Sequence, residues 1–126
     1  MPEQHRLLLV EDDIFLQEIC TEKLKKAHYT VDTASDGETG LQKMRENTYD
    51  LILLDIMLPE MNGLDVLKTY NQENPNTANR AYVVMLTNLS EQEQIDQAMS
   101  LGAHDYLVKA YSSPKMITEK VKEILS

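Results

Sequence analysis

Residues 51–63 read LILLDIMLPEMNG. Four apolar residues, Leu51 to Leu54, run directly into a carboxylate, Asp55, and the segment then turns at Pro59 and Asn62-Gly63. A short, continuous apolar run bounded by turn residues reads as a strand buried on both faces. An unpaired carboxylate is costly to bury. Asp55 is therefore expected at the mouth, where the strand leaves the core, or beside a positive group that meets it there.

Four other segments also read as strands: Arg6 to Val10, Ala81 to Leu86 and the shorter Asp105 to Val108 are apolar runs, and Tyr29 to Ala34 is rich in β-branched and aromatic residues with Tyr29, Val31 and Thr33 alternating. They alternate with stretches of helical period. Residues 14–27 place Leu16, Ile19, Cys20 and Leu24 on one face. Residues 37–46 join Leu41 to Met44, and residues 63–72 turn Leu64, Val66 and Leu67 inward. Ser90-Glu91-Gln92-Glu93 has the form of a capping box, followed by Ile95, Ala98 and Met99 and a stop at Gly102. Ser113-Pro114 opens the last helix, striped by Ile117, Val121, Ile124 and Leu125. Five βα units in series predict an α/β fold, a parallel sheet covered by helices on both sides with right-handed crossovers. The polar stretch 71–80 is expected to be a loop. With no repeat, low-complexity run or linker, residues 1–126 are expected to form one stand-alone domain.

Composition narrows the function. Hydrophobic residues make up 42% of the 126, enough for a core. The formal net charge of −9 opposes direct binding of nucleic acid by this chain. No apolar stretch is long enough to cross a bilayer, and no secretory signal is seen at the start. The single cysteine, Cys20, suits a reducing, cytoplasmic setting. His5, His28 and His104 are scattered without metal-ligand spacing.

In an open α/β sheet, ligands sit outside the carboxyl ends of the strands. The first predicted strand ends in Glu11, Asp12 and Asp13, the third in Asp55, the fourth in Thr87 and the fifth in Lys109. Taken singly these are ordinary turn, cap and surface residues. Together, on one edge, they make a phosphoryl-transfer site: carboxylates that repel one another until a Mg²⁺ ion joins them, an ammonium, and a hydroxyl donor.

The stretches LLLVEDD (7–13), DLILLDIMLPEMNGLD (50–65), VVMLTN (83–88) and GAHDYLVKA (102–110) carry a family signature. On them the chain resembles the receiver domain of two-component response regulators over essentially its whole length. The resemblance implies a flavodoxin-like (βα)5 fold, a three-layer αβα sandwich with strand order 2-1-3-4-5. It implies that Asp55 accepts a phosphoryl group from a sensor histidine kinase or phosphotransfer protein. Asp12 would bind Mg²⁺, Glu11 would assist through water, and Asp55 and the Met57 backbone carbonyl would complete the set. Thr87 and Lys109 would meet phosphoryl oxygens. Tyr106 would be the aromatic switch, altering a surface of the fourth helix, fifth strand and fifth helix that a downstream effector or a second copy in a homodimer would read. Asp13 would belong either to the acidic pocket or to the start of the first helix. The domain would be a signalling phosphoacceptor assisting its own phosphorylation and dephosphorylation, not an enzyme.

Two positions depart from the family pattern. Ala110 follows Lys109 where proline with a cis peptide is usual, which leaves the reach of Lys109 open. Asn88 follows Thr87 where a small residue is usual, which would either narrow access to Asp55 or donate an extra hydrogen bond to the phosphoryl group. A rival reading, a phosphatase of the haloacid-dehalogenase type, needs a second aspartate two residues after the first, and Met57 stands there. A degenerate, non-phosphorylated receiver would lack some of the acidic, threonine and lysine positions, and all are filled here.

Overall fold

The computed structural model of the chain describes residues 4–88 and 92–126. The strands are β1 (Arg6–Val10), β2 (Thr30–Ala34), β3 (Leu51–Asp55), β4 (Tyr82–Thr87) and β5 (Asp105–Val108). They pair in parallel in the order β2-β1-β3-β4-β5. The helices are α1 (Ile14–Lys26), α2 (Gly37–Glu46), α3 (Gly63–Glu73), α4 (Gln92–Ser100) and α5 (Pro114–Leu125). The expected three-layer fold and strand order are thus observed.

Strand side chains alternate between faces, and the two cores follow that period. Leu8, Val10, Ile52, Leu54, Val83 and Met85 pack with residues of α2, α3 and α4. Leu7, Leu9, Leu51, Leu53, Val84 and Leu86 pack with Cys20 and Leu24 of α1 and Ile117 and Val121 of α5. Each fully buried leucine contributes roughly 1.5–3 kcal/mol, so these inner strands anchor the sheet.

Several expectations need correction. The outer strands are not buried on both faces: in β2 only Val31 and Ala34 are buried, and in β5 no residue is. Both lie at the sheet edge, where the covering helices reach only part of the surface. Ile19 and Met99 are exposed, at 45% and 41%. Helical period places them near the buried stripe, but Cys20, Leu24, Ile95 and Ala98 fill the actual contacts. Residues 71–80 are not all loop: α3 continues to Glu73 and Thr77–Asn79 forms a 3-10 turn. Their polarity reflects a solvated helix end. Asp13 caps α1, its carboxylate accepting from Leu16 N–H at 3.2 Å, which settles its role as a helix start. Ser113 caps α5 in the same way and Pro114 follows it as expected. Ser90 of the expected capping box lies outside the described residues. Gly102, past the end of α4, has φ +96°, a left-handed conformation that favours glycine.

Candidate phosphoacceptor site

The parallel register brings the C-terminal ends of β1, β3, β4 and β5 to one edge. Val10 lies opposite Leu54, Asp55 opposite Leu86 and Thr87 opposite Val108. The next residue after β1, Glu11, and the next after β5, Lys109, therefore flank Asp55 although they stand far apart in sequence.

Asp55 sits at the expected edge but is not open to solvent: its relative exposure is 0%. Its Oδ1 accepts from the Met57 backbone N–H at 3.1 Å, and its Oδ2 accepts from Lys109 Nζ at 2.8 Å. The placement at a mouth is corrected accordingly, because the turn after β3 and the lysine close over the carboxylate. Glu11 is equally buried. Its Oε2 accepts from Asp13 N–H at 3.0 Å, and its Oε1 pairs with the Lys109 ammonium. Asp12 is exposed beside them. Thr87 is 3% exposed at the end of β4. Met57 turns its side chain outward, and Asn88 is exposed. Tyr106 stands on β5 opposite Met85 with 38% exposure, outside the carboxylate cluster. No cis peptide bond occurs among the described residues, so Lys109 reaches Asp55 through a trans bond to Ala110. The Lys109–Tyr111 3-10 turn carries it there.

Burial dominates the electrostatics. It pushes the Glu11 carboxyl up to about 7, with the Asp13 N–H and Lys109 opposing and the Asp55 charge assisting. Burial also raises Asp55, against the pull of Lys109. Burial alone would lower Lys109, but the hydrogen bonds and charges of Asp55 and Glu11 outweigh it and raise the ammonium above its ordinary range. One ammonium thus serves two desolvated carboxylates, an arrangement short of positive charge.

A divalent cation fits that shortfall. Glu11, Asp12 and Asp55 each offer a carboxylate oxygen, all within 4.8 Å of one another. Octahedral Mg²⁺ with oxygens at about 2.0–2.1 Å needs ligand separations of roughly 3–4 Å. Glu11 Oε1 is buried, and among the described residues the Lys109 ammonium is the cation that pairs with it. Hard oxygen donors with one exposed member suit a partly hydrated ion.

Sequence reasoning missed Gln17. From the end of the first turn of α1, its Nε2 donates to the Glu11 carbonyl at 2.9 Å and lies 3.3 Å from both the Ala34 carbonyl and Ser35 Oγ. The available signal was a polar residue one helical turn after the capping Asp13.

The family model described as the response regulator receiver domain matches residues 7–122. The chain belongs to this family. The receiver domain is 36% identical to the Regulatory protein VanRB of Enterococcus faecalis over 95% of this chain and 52% of that protein. It is 38% identical to the Transcriptional regulatory protein HprR of Escherichia coli over 89% of this chain and 48% of that protein. The crystal structure of a CheY-like response regulator receiver domain protein from Methanospirillum hungatei superposes with a TM-score of 0.87 at 28% identity, covering 98% of this chain and 94% of that one. The chain spans about half the length of the curated relatives it matches. A receiver domain of two-component response regulators is a signalling domain rather than a member of an enzyme family. Among the described residues no helix is long and apolar enough to cross a membrane.

Proposed function

We propose that this receiver domain accepts a phosphoryl group on Asp55 from the phosphohistidine of a sensor histidine kinase or phosphotransfer protein. The observation that carries the reading is the meeting of Glu11, Asp12 and Asp55 within 4.8 Å, with Lys109 Nζ 2.8 Å from Asp55. An Asp55 oxygen attacks phosphorus, the P–N bond breaks with its electron pair passing to the imidazole, and a P–O bond forms. The lysine moves from Asp55 Oδ2 onto a phosphoryl oxygen, keeping its charge beside the developing anion. The Thr87 hydroxyl donates to another. Glu11 (through water), Asp12, Asp55 and the Met57 carbonyl would hold Mg²⁺, which when bound neutralises charge on the transferring group. Water attacking the same phosphorus then breaks the P–O bond to Asp55, releases inorganic phosphate and regenerates the carboxylate, so the chain assists both its own phosphorylation and dephosphorylation.

The output follows from Thr87. As its side chain turns toward the phosphoryl group it vacates space at the β4–β5 edge, where Tyr106 can move inward. The α4–β5–α5 surface changes with it, for a downstream effector or a second copy of the chain. Shifting such a two-state element from about 1% to about 99% requires roughly 5.5 kcal/mol, within the reach of a few charge-assisted hydrogen bonds at about 1.5–3 kcal/mol each. The setting is cytoplasmic, where the phosphodonor proteins act.

The test is incubation with Mg²⁺ and acetyl phosphate, read by intact-protein mass. One phosphoryl group should add to the wild type and none to Asp55→Asn. Beryllofluoride should shift the Tyr106 resonances in the wild type alone. A wild-type protein that stays unmodified and unshifted would support the degenerate receiver instead.

A further inference from the structure

We infer that Gln17 is a positioning residue of the acidic site: its side-chain amide fixes the peptide between Glu11 and Asp12, and so aims Asp12 at the cation. The inference rests on the metal reading above and adds a residue to it. Asp12 is exposed, and its carboxylate receives no hydrogen bond among the described residues. A short side chain without partners takes its direction from its own backbone. The peptide plane that sets this direction contains the Glu11 carbonyl, and that oxygen accepts from Gln17 Nε2 at 2.9 Å.

The rest of the loop is braced on both sides of Asp12. Glu11 N–H donates to the Ala34 carbonyl at 2.9 Å, and Asp13 N–H donates to Glu11 Oε2 at 3.0 Å. Asp13 in turn caps α1. The Glu11 carbonyl is the remaining support, and Gln17 supplies it from α1. The same amide nitrogen lies 3.3 Å from the Ala34 carbonyl and from Ser35 Oγ, tying the loop after β1 to the end of β2. Two of its three neighbours are carbonyl oxygens, which only accept, so the amide nitrogen and not its oxygen must face them. The arrangement has the form of a supporting shell around a metal ligand. Changes in such a shell typically weaken metal binding by about 10–100-fold.

The experiment titrates Mg²⁺ into the ¹⁵N-labelled chain and reads amide shifts in the loop after β1. Gln17→Met keeps the size of the side chain and removes the donor. Gln17→Asn keeps the amide but falls one methylene short of the carbonyl, and it decides the matter if the methionine variant does not fold. Both should weaken Mg²⁺ binding about tenfold or more. Val121→Ala, on the buried face of α5, is the control for lost stability: its Mg²⁺ affinity should stay within about twofold of wild type even where its urea midpoint falls as far as that of the Gln17 variants. Gln17 variants with wild-type affinity overturn the role of Gln17 alone. So does an equal loss in Val121→Ala, which would make the effect one of stability. A wild-type chain without saturable Mg²⁺ binding overturns the metal reading itself and this role with it.

Discussion

Replacing Glu11 by glutamine should stabilise the metal-free protein at alkaline pH while leaving it unchanged in acid. Glu11 is fully buried, and burial pushes its carboxyl from 4.5 to about 7. A tenfold change in proton affinity is worth about 1.4 kcal/mol, so keeping Glu11 ionised in the fold costs about 3 kcal/mol above pH 7. The folded chain holds this proton where the unfolded chain has lost it. Stability is therefore full below the unfolded value of 4.5 and falls as pH rises through about 7. Asp55, also raised by burial, adds to the same slope. Asp32 does not, because the Tyr49 and Arg6 partners that outweigh its own burial hold its carboxyl below the ordinary range, and its contribution is lost only in stronger acid. Urea denaturation at pH 5 and pH 8, without divalent ions, measures the effect. With slopes of about 1–3 kcal/mol per molar urea, the wild-type midpoint should be about 1–3 M lower at pH 8, and Glu11→Gln should remove most of that difference. Equal wild-type midpoints at both pH values, or an unaltered difference in Glu11→Gln, would refute the account of a desolvated, undercompensated carboxylate.

Lys109→Met should destabilise by about 3–5 kcal/mol at pH 8 by stranding two buried carboxylates; the loss should shrink at pH 5 as they take up protons, which the same denaturation series measures. Its phosphoryl uptake should fall by about 10²–10³-fold in the acetyl phosphate assay, as for loss of one oxyanion donor. Gly63→Ala should lower stability by more than about 3 kcal/mol, because the added Cβ would stand 2.1 Å from the Asp55 carbonyl oxygen and the turn after β3 would have to move; thermal unfolding reads it. Asn88→Ala is expected to react faster with acetyl phosphate, on the proposal that the exposed amide next to Thr87 narrows the approach to Asp55; an unchanged rate would remove that explanation.

Local pattern was enough for the elements and for the edge on which the chemistry gathers. Apolar runs such as Leu51–Leu54 and periodic stripes such as Leu41–Met44 bury the same atoms in almost any parallel arrangement, and strand ends announce themselves by a change from apolar to ionisable residues. The strand order came from the family resemblance, and the sheet has it. Depth and pairing could not be read in the same way. Whether Asp55 opens to water depends on how the turn after β3 and a lysine 54 positions away fold over it. That Lys109 serves Glu11 as well as Asp55 depends on β1 and β5 flanking β3 and β4 in register. The clamp by Gln17 joins α1 to the ends of β1 and β2, a contact invisible to any periodicity. Ile19 and Met99 show the same boundary from the other side: helical spacing made them candidates for the core, and only the packed sheet decided which neighbours took the space. Hydrophobic pattern is a property of neighbours along the chain, whereas desolvation and ion pairing are properties of neighbours in space, and only the assembled sheet defines those.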